Sequence, residues 1–399
     1  MLIKQESFTL TKFIIYLFFI AVFFSDYGLF YTEFTRPMIT FCELLGFLII
    51  IISFKKINRI SLKAVQMFSI SIIIIIISIF SSFIYDNNMI ENLKSSVRIL
   101  YWVVLLIMLS QYKTIKKEML LKIIMSTTSV IALLGILQFV IYRVFGYVLK
   151  FRPNIFGEVR WGNILGLFRP TSIYAEPSWL AVALIPFAFA SFSMYIKKDC
   201  SLFTFLILNI GVLISFSFGG IITLGAIYTI YFIYLFLINF LSKRFNVRMF
   251  VIFLVIVTVF ISFNFQYGFL ENLFYRISSE LARSNSSISK RLSGYEGIIE
   301  VAKESPIFGS GFLNYNFFKT EGLKYQASVG ISTLYTGVGL FGTLLFIILL
   351  KIILVHDKKS KYKYIKNSLL FALVVEQTIV YGGIFNTDFW GILAIIIMI

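Results

Sequence analysis

Ser201–Leu241 reads "SLFTFLILNIGVLISFSFGGIITLGAIYTIYFIYLFLINFL" and contains no charged residue. At 1.5 Å per helical residue, a bilayer core of about 30 Å is crossed by about 20 residues, so this run holds two crossings. "SFSFGG" at Ser215–Gly220 supplies the turn between them, its glycines accepting dihedrals closed to other residues. Lipid offers no partner to a free peptide group, so the crossings are helices. The alternative, a transmembrane barrel, needs alternating strands of about ten residues that are absent here.

The rest of the chain extends the same reading. It is 59% hydrophobic and 14% charged, where a soluble domain has about a quarter of its residues charged. The expected fold is all-α: one integral membrane domain over 1–399, a polytopic transmembrane helical bundle of about twelve spans. These fall at 13–30, 38–54, 64–85, 97–110, 123–148, 176–196, 201–217, 220–241, 249–266, 327–355, 367–384 and 386–399. The first follows Lys4 and Lys12, and "SDYGLFYTEF" after it lacks a small-x-small cleavage site, so it reads as an uncleaved span. Cys42 within a span and Cys200 at a membrane edge make no disulfide framework.

Charge sets the expected topology. With the N-terminus cytoplasmic, the inward junctions are "KKINR", "KTIKKE", "KKD", "SKRFNVR" and "KIILVHDKKSKYKYIK", which carry most of the lysines, as the positive-inside rule requires. Arginine is distributed the other way. Only Arg59, Arg244 and Arg248 fall inside, whereas Arg36, Arg98, Arg143, Arg152, Arg160, Arg169, Arg276, Arg283 and Arg291 fall outside. One such arginine pairs with a carboxylate or a headgroup; nine together suit a polyanionic ligand, because the guanidinium fork grips phosphate bidentately.

Two external loops are long, 149–175 and 267–326, yet too short and apolar for cores of their own. Both are expected to be partly helical and to cap a cavity in the bundle. In the second, Ile288, Leu292, Tyr295, Ile299 and Ala302 mark one face of an amphipathic helix ended by Pro306, lying on the membrane surface or over the bundle. Arg291 and Tyr295, four apart, share a side of it. Gly337, Gly339 and Gly342 spell GxGxxG without a preceding strand, so they read as close helix packing rather than a dinucleotide site. No Cys/His cluster has metal-ligand spacing, and neither a metal nor a cofactor is expected.

The single histidine, His356, lies in a lysine-rich inward junction, so any external general base must be a carboxylate, a tyrosine or a less usual group. Glu176, immediately before Pro177 at the lip of a span, is the candidate. Its plain alternative is a carboxylate stabilising a helix N-terminus.

"FRPTSIYAEPSWLA" before a span and "SKRLSGYEGIIEVAKESPIFGSGF" in a later external loop together resemble the O-antigen polymerase and ligase superfamily. The matching positions are Arg169, Pro170, Glu176, Pro177 and Ser178, then Ser289, Arg291, Tyr295, Pro306, Gly309 and Gly311. The resemblance implies a metal-independent, GT-C-like glycosyltransferase of the bacterial inner membrane, acting at the outer face. Its donor and acceptor would be undecaprenyl-pyrophosphate-linked glycans. Membrane lipids and a chain-length regulator would be its other partners, and nucleic acid none. Ligases of that superfamily are expected to carry a histidine in the large external loop; its lack here favours a polymerase. On this reading Arg169, Arg291 and Glu176 are catalytic, the arginines clamping pyrophosphate and Glu176 serving as base. Arg160, Arg276, Arg283, Tyr295, Tyr174 and Trp161 would bind substrate. The competing reading, a flippase, predicts polar residues at mid-span, of which Glu43, Gln138 and Glu376 are the only clear examples.

Overall fold

The computed structural model describes residues 2–25, 27–31, 37–54, 61–85, 89–112, 115–153, 159, 162–164, 167–241, 287–312, 330–354, 361–379 and 386–399. The described chain is helical apart from two short hairpins. The helices are α1 Leu2–Ala21, α2 Phe41–Phe54, α3 Leu62–Ile84, α4 Met89–Ser110, α5 Lys117–Phe145, α6 Pro177–Ile196, α7 Leu202–Ile214 and α8 Phe218–Leu241, then α9 Ser287–Glu304, α10 Gly330–Leu354, α11 Lys363–Ile379 and α12 Thr387–Met398. The hairpins pair β1 (Gly28–Tyr31) with β2 (Pro37–Thr40) and β3 (Gly162–Ile164) with β4 (Leu167–Arg169).

Among the described residues, six helices are long and apolar enough to cross a membrane: Leu62–Ile84, Met89–Ser110, Lys117–Phe145, Pro177–Ile196, Phe218–Leu237 and Gly330–Ile353. Leu10–Phe24, Phe41–Phe54, Leu202–Ile214 and Thr387–Met398 are apolar but shorter. Every expected span except 249–266 overlaps a described helix; that one lies outside the described residues. The first span is shorter than expected. Its helix tightens into a 3-10 turn at Val22–Phe24, Tyr27 N donates to Phe24 O (2.9 Å), and the chain enters β1. Hydrophobicity alone does not separate the end of an apolar helix from an apolar strand. At the centre, α6 is buried from Leu180 to Met194 on all sides, as a helix apolar on every face must be. It packs against α5, α7, α8 and α11.

The turn at Ser215–Gly220 is present but works differently from its sequence reading. The left-handed residue is Phe216 (φ 43°), not a glycine. Ser215 Oγ accepts from Ser217 N (3.1 Å), and Ser217 Oγ accepts from Gly220 N (3.3 Å), so the two serines tie the turn. Gly220 serves packing instead: a Cβ there would sit 2.5 Å from Ala181 Cβ on α6.

The GxGxxG glycines mark a break. α10 is interrupted at Gly339 (φ 62°, ψ −165°), and the loop Pro306–Gly311 lies along the gap. Ser310 N donates to Thr336 O (2.8 Å) and Gly311 N to Gly337 O (2.8 Å). In return Leu340 N donates to Pro306 O (2.9 Å) and Phe341 N to Ile307 O (3.0 Å). The peptide groups released by the break are thus paired with the loop, as a membrane interior requires. Gly309 and Gly339 permit this approach, since a Cβ on Gly309 would meet Gly339 N at 2.5 Å. From α3, Ser81 Oγ donates to Phe308 O (2.9 Å), and Ser78 Oγ accepts from Phe312 N (2.9 Å). The partner of the glycines is therefore a loop backbone rather than a second helix.

Contacts define two ends. At one, the lysine-bearing junctions meet: Lys361 pairs with Glu118 (3.6 Å), Tyr364 Oη bonds Asp199, and Lys63 Nζ donates to Ile353 O (3.2 Å). At the other lie both hairpins and the Pro306–Gly311 stitch.

Gly309→Ala forces a side chain into left-handed backbone (φ 69°) against a packed peptide. It is expected to cost about 2 kcal/mol or more, read as a lowered melting temperature of the solubilised protein. Gly225→Ala in mid-α8, where a Cβ meets nothing within 4 Å, should instead stabilise by about 1 kcal/mol.

Candidate functional site

The segment from Pro170 to Glu176 joins β4 to α6 without regular structure, and Pro170–Tyr174 is buried. Gln138, wholly buried on α5, satisfies its backbone. The amide oxygen accepts from Thr171 N (3.0 Å) and Ser172 N (2.7 Å), and the amide nitrogen donates to Ser172 O (3.3 Å) and Leu149 O (2.9 Å). Two turns earlier on the same face, Ile131 O accepts from Ser172 Oγ (2.7 Å). These bonds hold Ser172 in the left-handed region (φ 53°). Tyr27 Oη donates to Ile173 O (2.8 Å), Tyr174 Oη to Phe23 O (2.9 Å), and Tyr142 stacks on Phe168 at 4.4 Å.

This clamp presents two charged residues. Arg169 ends β4, and its Nε donates to Ser215 O (3.2 Å) at the C-terminal end of α7, where a helix dipole favours a cation. Glu176 is the N-cap of α6 with Pro177 at the first helical position, but its side chain makes no capping bond. Its Oε2 accepts from Ser178 Oγ (3.3 Å) instead. The carboxylate thus sits at the positive end of a helix without being spent on the backbone amides there.

The second patch is α9, as its periodicity predicts, but turned away from the bundle. Gly294, Gly297 and Val301 form its buried face, against α10, while Leu292, Tyr295 and Ile299 are exposed. That glycines form the buried face is something the apolar periodicity could not reveal. Tyr295 Oη donates to Thr378 O at the end of α11, and Arg291 lies one turn before Tyr295.

The two patches share one end of the bundle. α6 and α11 run antiparallel, joined by Ser193 and Ser368 (2.6 Å). From that contact Thr378 lies about 15 Å along α11, and Pro177 about 24 Å along α6 in the same direction.

Other expected site residues fare differently. Tyr174 is 2% exposed with its hydroxyl committed to Phe23, so it holds the segment and is not placed to stack on a sugar. Arg160, Trp161, Arg276 and Arg283 lie outside the described residues, as does the side chain of Arg291. The first external loop shows the β3–β4 hairpin rather than helix in its described part; a three-residue ladder forms over Leu167–Arg169, too short for a helical period to register. Arg98 leaves the pool of ligand arginines: it pairs with Glu43 (2.6 Å) and donates to Thr387 Oγ1 (3.3 Å), tying α2, α4 and α12. Arg152 lies over the Tyr27 ring at 5.0 Å. Of the mid-span polar residues, Gln138 and Glu43 are thus structural, and the role of Gln138 was absent from the sequence reading. Glu376 is buried, its Oε2 without a hydrogen-bond partner among the described residues. Gln138→Leu strands the Thr171 and Ser172 amides, which should cost about 2–4 kcal/mol; a lowered melting temperature with new protease cleavage between Phe168 and Glu176 checks it.

No curated protein matches the chain. Residues 202–347 match the family model described as O-antigen ligase. The matched region runs from α7 through α9 and the stitch into α10, so it holds Arg291, Tyr295 and the loop glycines, while Arg169 and Glu176 precede it. Together with the apolar helices it describes a multi-pass membrane protein. Over residues 202–347 the chain is similar to the family described as O-antigen ligase.

Proposed function

We propose that the protein polymerises undecaprenyl-pyrophosphate-linked oligosaccharide repeat units at the outer face of the cytoplasmic membrane. The carrying observation is that the Arg169–Glu176 segment and the α9 patch, far apart in sequence, are fixed at one end of the bundle, opposite the lysine-rich end. By the positive-inside rule the lysine-rich end is cytoplasmic, which turns the candidate site outward and accords with about twelve crossings.

In this reading Arg169 and Arg291 grip the donor pyrophosphate. Attachment of Arg169 Nε to Ser215 O fixes the plane of its guanidinium. A hydroxyl of the acceptor sugar attacks the anomeric carbon, and the bond from that carbon to the pyrophosphate oxygen breaks. Glu176 takes the hydroxyl proton, and the arginines stabilise the charge arriving on the departing lipid pyrophosphate, work that needs no divalent ion. The prenyl chain stays in lipid. Polymerase is preferred to ligase because the only histidine, His356, belongs to the lysine-rich junctions.

Arg169→Lys and Arg291→Lys keep the charge and lose the fork. Each is expected to lower polymerisation about 10²-fold at unchanged membrane abundance; a normal glycan ladder from both sinks the clamp. Normal activity of Glu176→Gln removes it as base. Loss of the gene should leave single repeat units on the surface lipid. Long unattached chains would indicate a ligase, and units trapped inside a flippase.

A further inference from the structure

The lysine-rich end holds one lysine that topology does not account for. Lysines that mark a cytoplasmic face sit in water, whereas Lys366 on α11 is 4% exposed. Among the described residues its ammonium has no hydrogen bond or ion pair. α5 begins beside it: Tyr362, one turn before Lys366, donates to Glu118 Oε1 (3.1 Å), and Lys361 pairs with the same carboxylate. The N-cap of α5, a helix that ends only at Phe145, is Lys116, whose side chain makes no capping bond; Glu118 is the one acidic residue of its first turn. Lys63 reaches the same region from α3, held by Ile353 O at the end of α10, which packs on α11. The neighbouring carboxylates are engaged: Glu118 by Lys361 and Tyr362, Asp199 by Tyr364.

We propose that Lys63, Lys117 and Lys366, with the N-terminus of α5, bind a phosphate group at the lysine-rich end of the bundle. Lys366 is a buried residue with no ion pair among the described residues, so a counter-charge would offset the desolvation of its ammonium, and helix N-terminal amides with converging cations are the means by which proteins hold phosphate. Burial, then the charges of Lys117 and Lys63, push Lys366 down to about 8. Bound phosphate keeps the proton on, so affinity falls as pH rises through that value. The phosphate has two sources, the headgroup of an anionic phospholipid in the adjoining leaflet or a free phosphate in solution. The site is independent of the glycan chemistry at the other end.

The test compares wild type, Lys366→Met and Lys122→Met in nanodiscs. Lys122 is an exposed α5 lysine, so its variant removes the same charge from the same helix. Melting is followed in phosphatidylcholine alone, with phosphatidylglycerol added, or with inorganic phosphate added. Wild type and Lys122→Met are expected to gain about 2–4 °C from a phosphate source. Lys366→Met is expected to gain nothing and to melt no lower than wild type in phosphatidylcholine, since it replaces a buried unpaired charge with an apolar chain. A gain from phosphatidylglycerol alone assigns a headgroup, and a gain from inorganic phosphate assigns the free ion. No gain in wild type, or the full gain in Lys366→Met, overturns the proposal.

Discussion

A peptide group inside a bilayer has no water to fall back on, and this protein nevertheless breaks the helix α10 at Gly339 within an apolar span. The break is tolerated because Pro306–Gly311 supplies two donors and two acceptors to the groups it releases. Everything at that end depends on this repair. It seats the loop on α3 through Ser78 and Ser81, and it fixes where α9 leaves the bundle. Arg291 and Tyr295 take their place from it.

The same solution recurs at Gln138. There an irregular segment, Pro170–Tyr174, is buried, and one side-chain amide with four bonds replaces the partners that a helix would have provided. In both places the residues of the superfamily pattern serve architecture before chemistry. Pro306, Gly309 and Gly311 make the stitch; Arg169 and Glu176 flank the clamp. Loss of activity on mutating one of the glycines would therefore report a displaced α9, not a missing catalytic group.

Much of this was legible in the sequence because it rests on hydrophobic length and on helical period. The run Ser201–Leu241 required two helices, and the spacing from Ile288 to Ala302 required a third. What the sequence concealed is chosen by three-dimensional proximity. Nothing in the glycines of α10 showed that their partner was a loop rather than a helix. Phe216 takes the left-handed turn that Gly219 and Gly220 invited, because serines on either side tie the backbone. α9 buries Gly294 and Gly297 and leaves Leu292 and Ile299 exposed, the reverse of what apolar periodicity alone leads one to expect. Arg98 looked like one more ligand arginine until Glu43, from another helix, was found beside it.

The electrostatics divide the molecule. One end collects lysines, one of them buried beside a helix without an N-cap side chain; the other presents Arg169 and Glu176 on a bonded segment, with α9 at the same end. The account stands on the claim that this second end joins lipid-linked sugars. Purified protein in liposomes, given only undecaprenyl-pyrophosphate-linked repeat units, tests that most directly. The prediction is a ladder of longer lipid-linked glycans, with one undecaprenyl pyrophosphate released for each new linkage. Repeat units that remain single, whether left in place or carried across the bilayer, would contradict it.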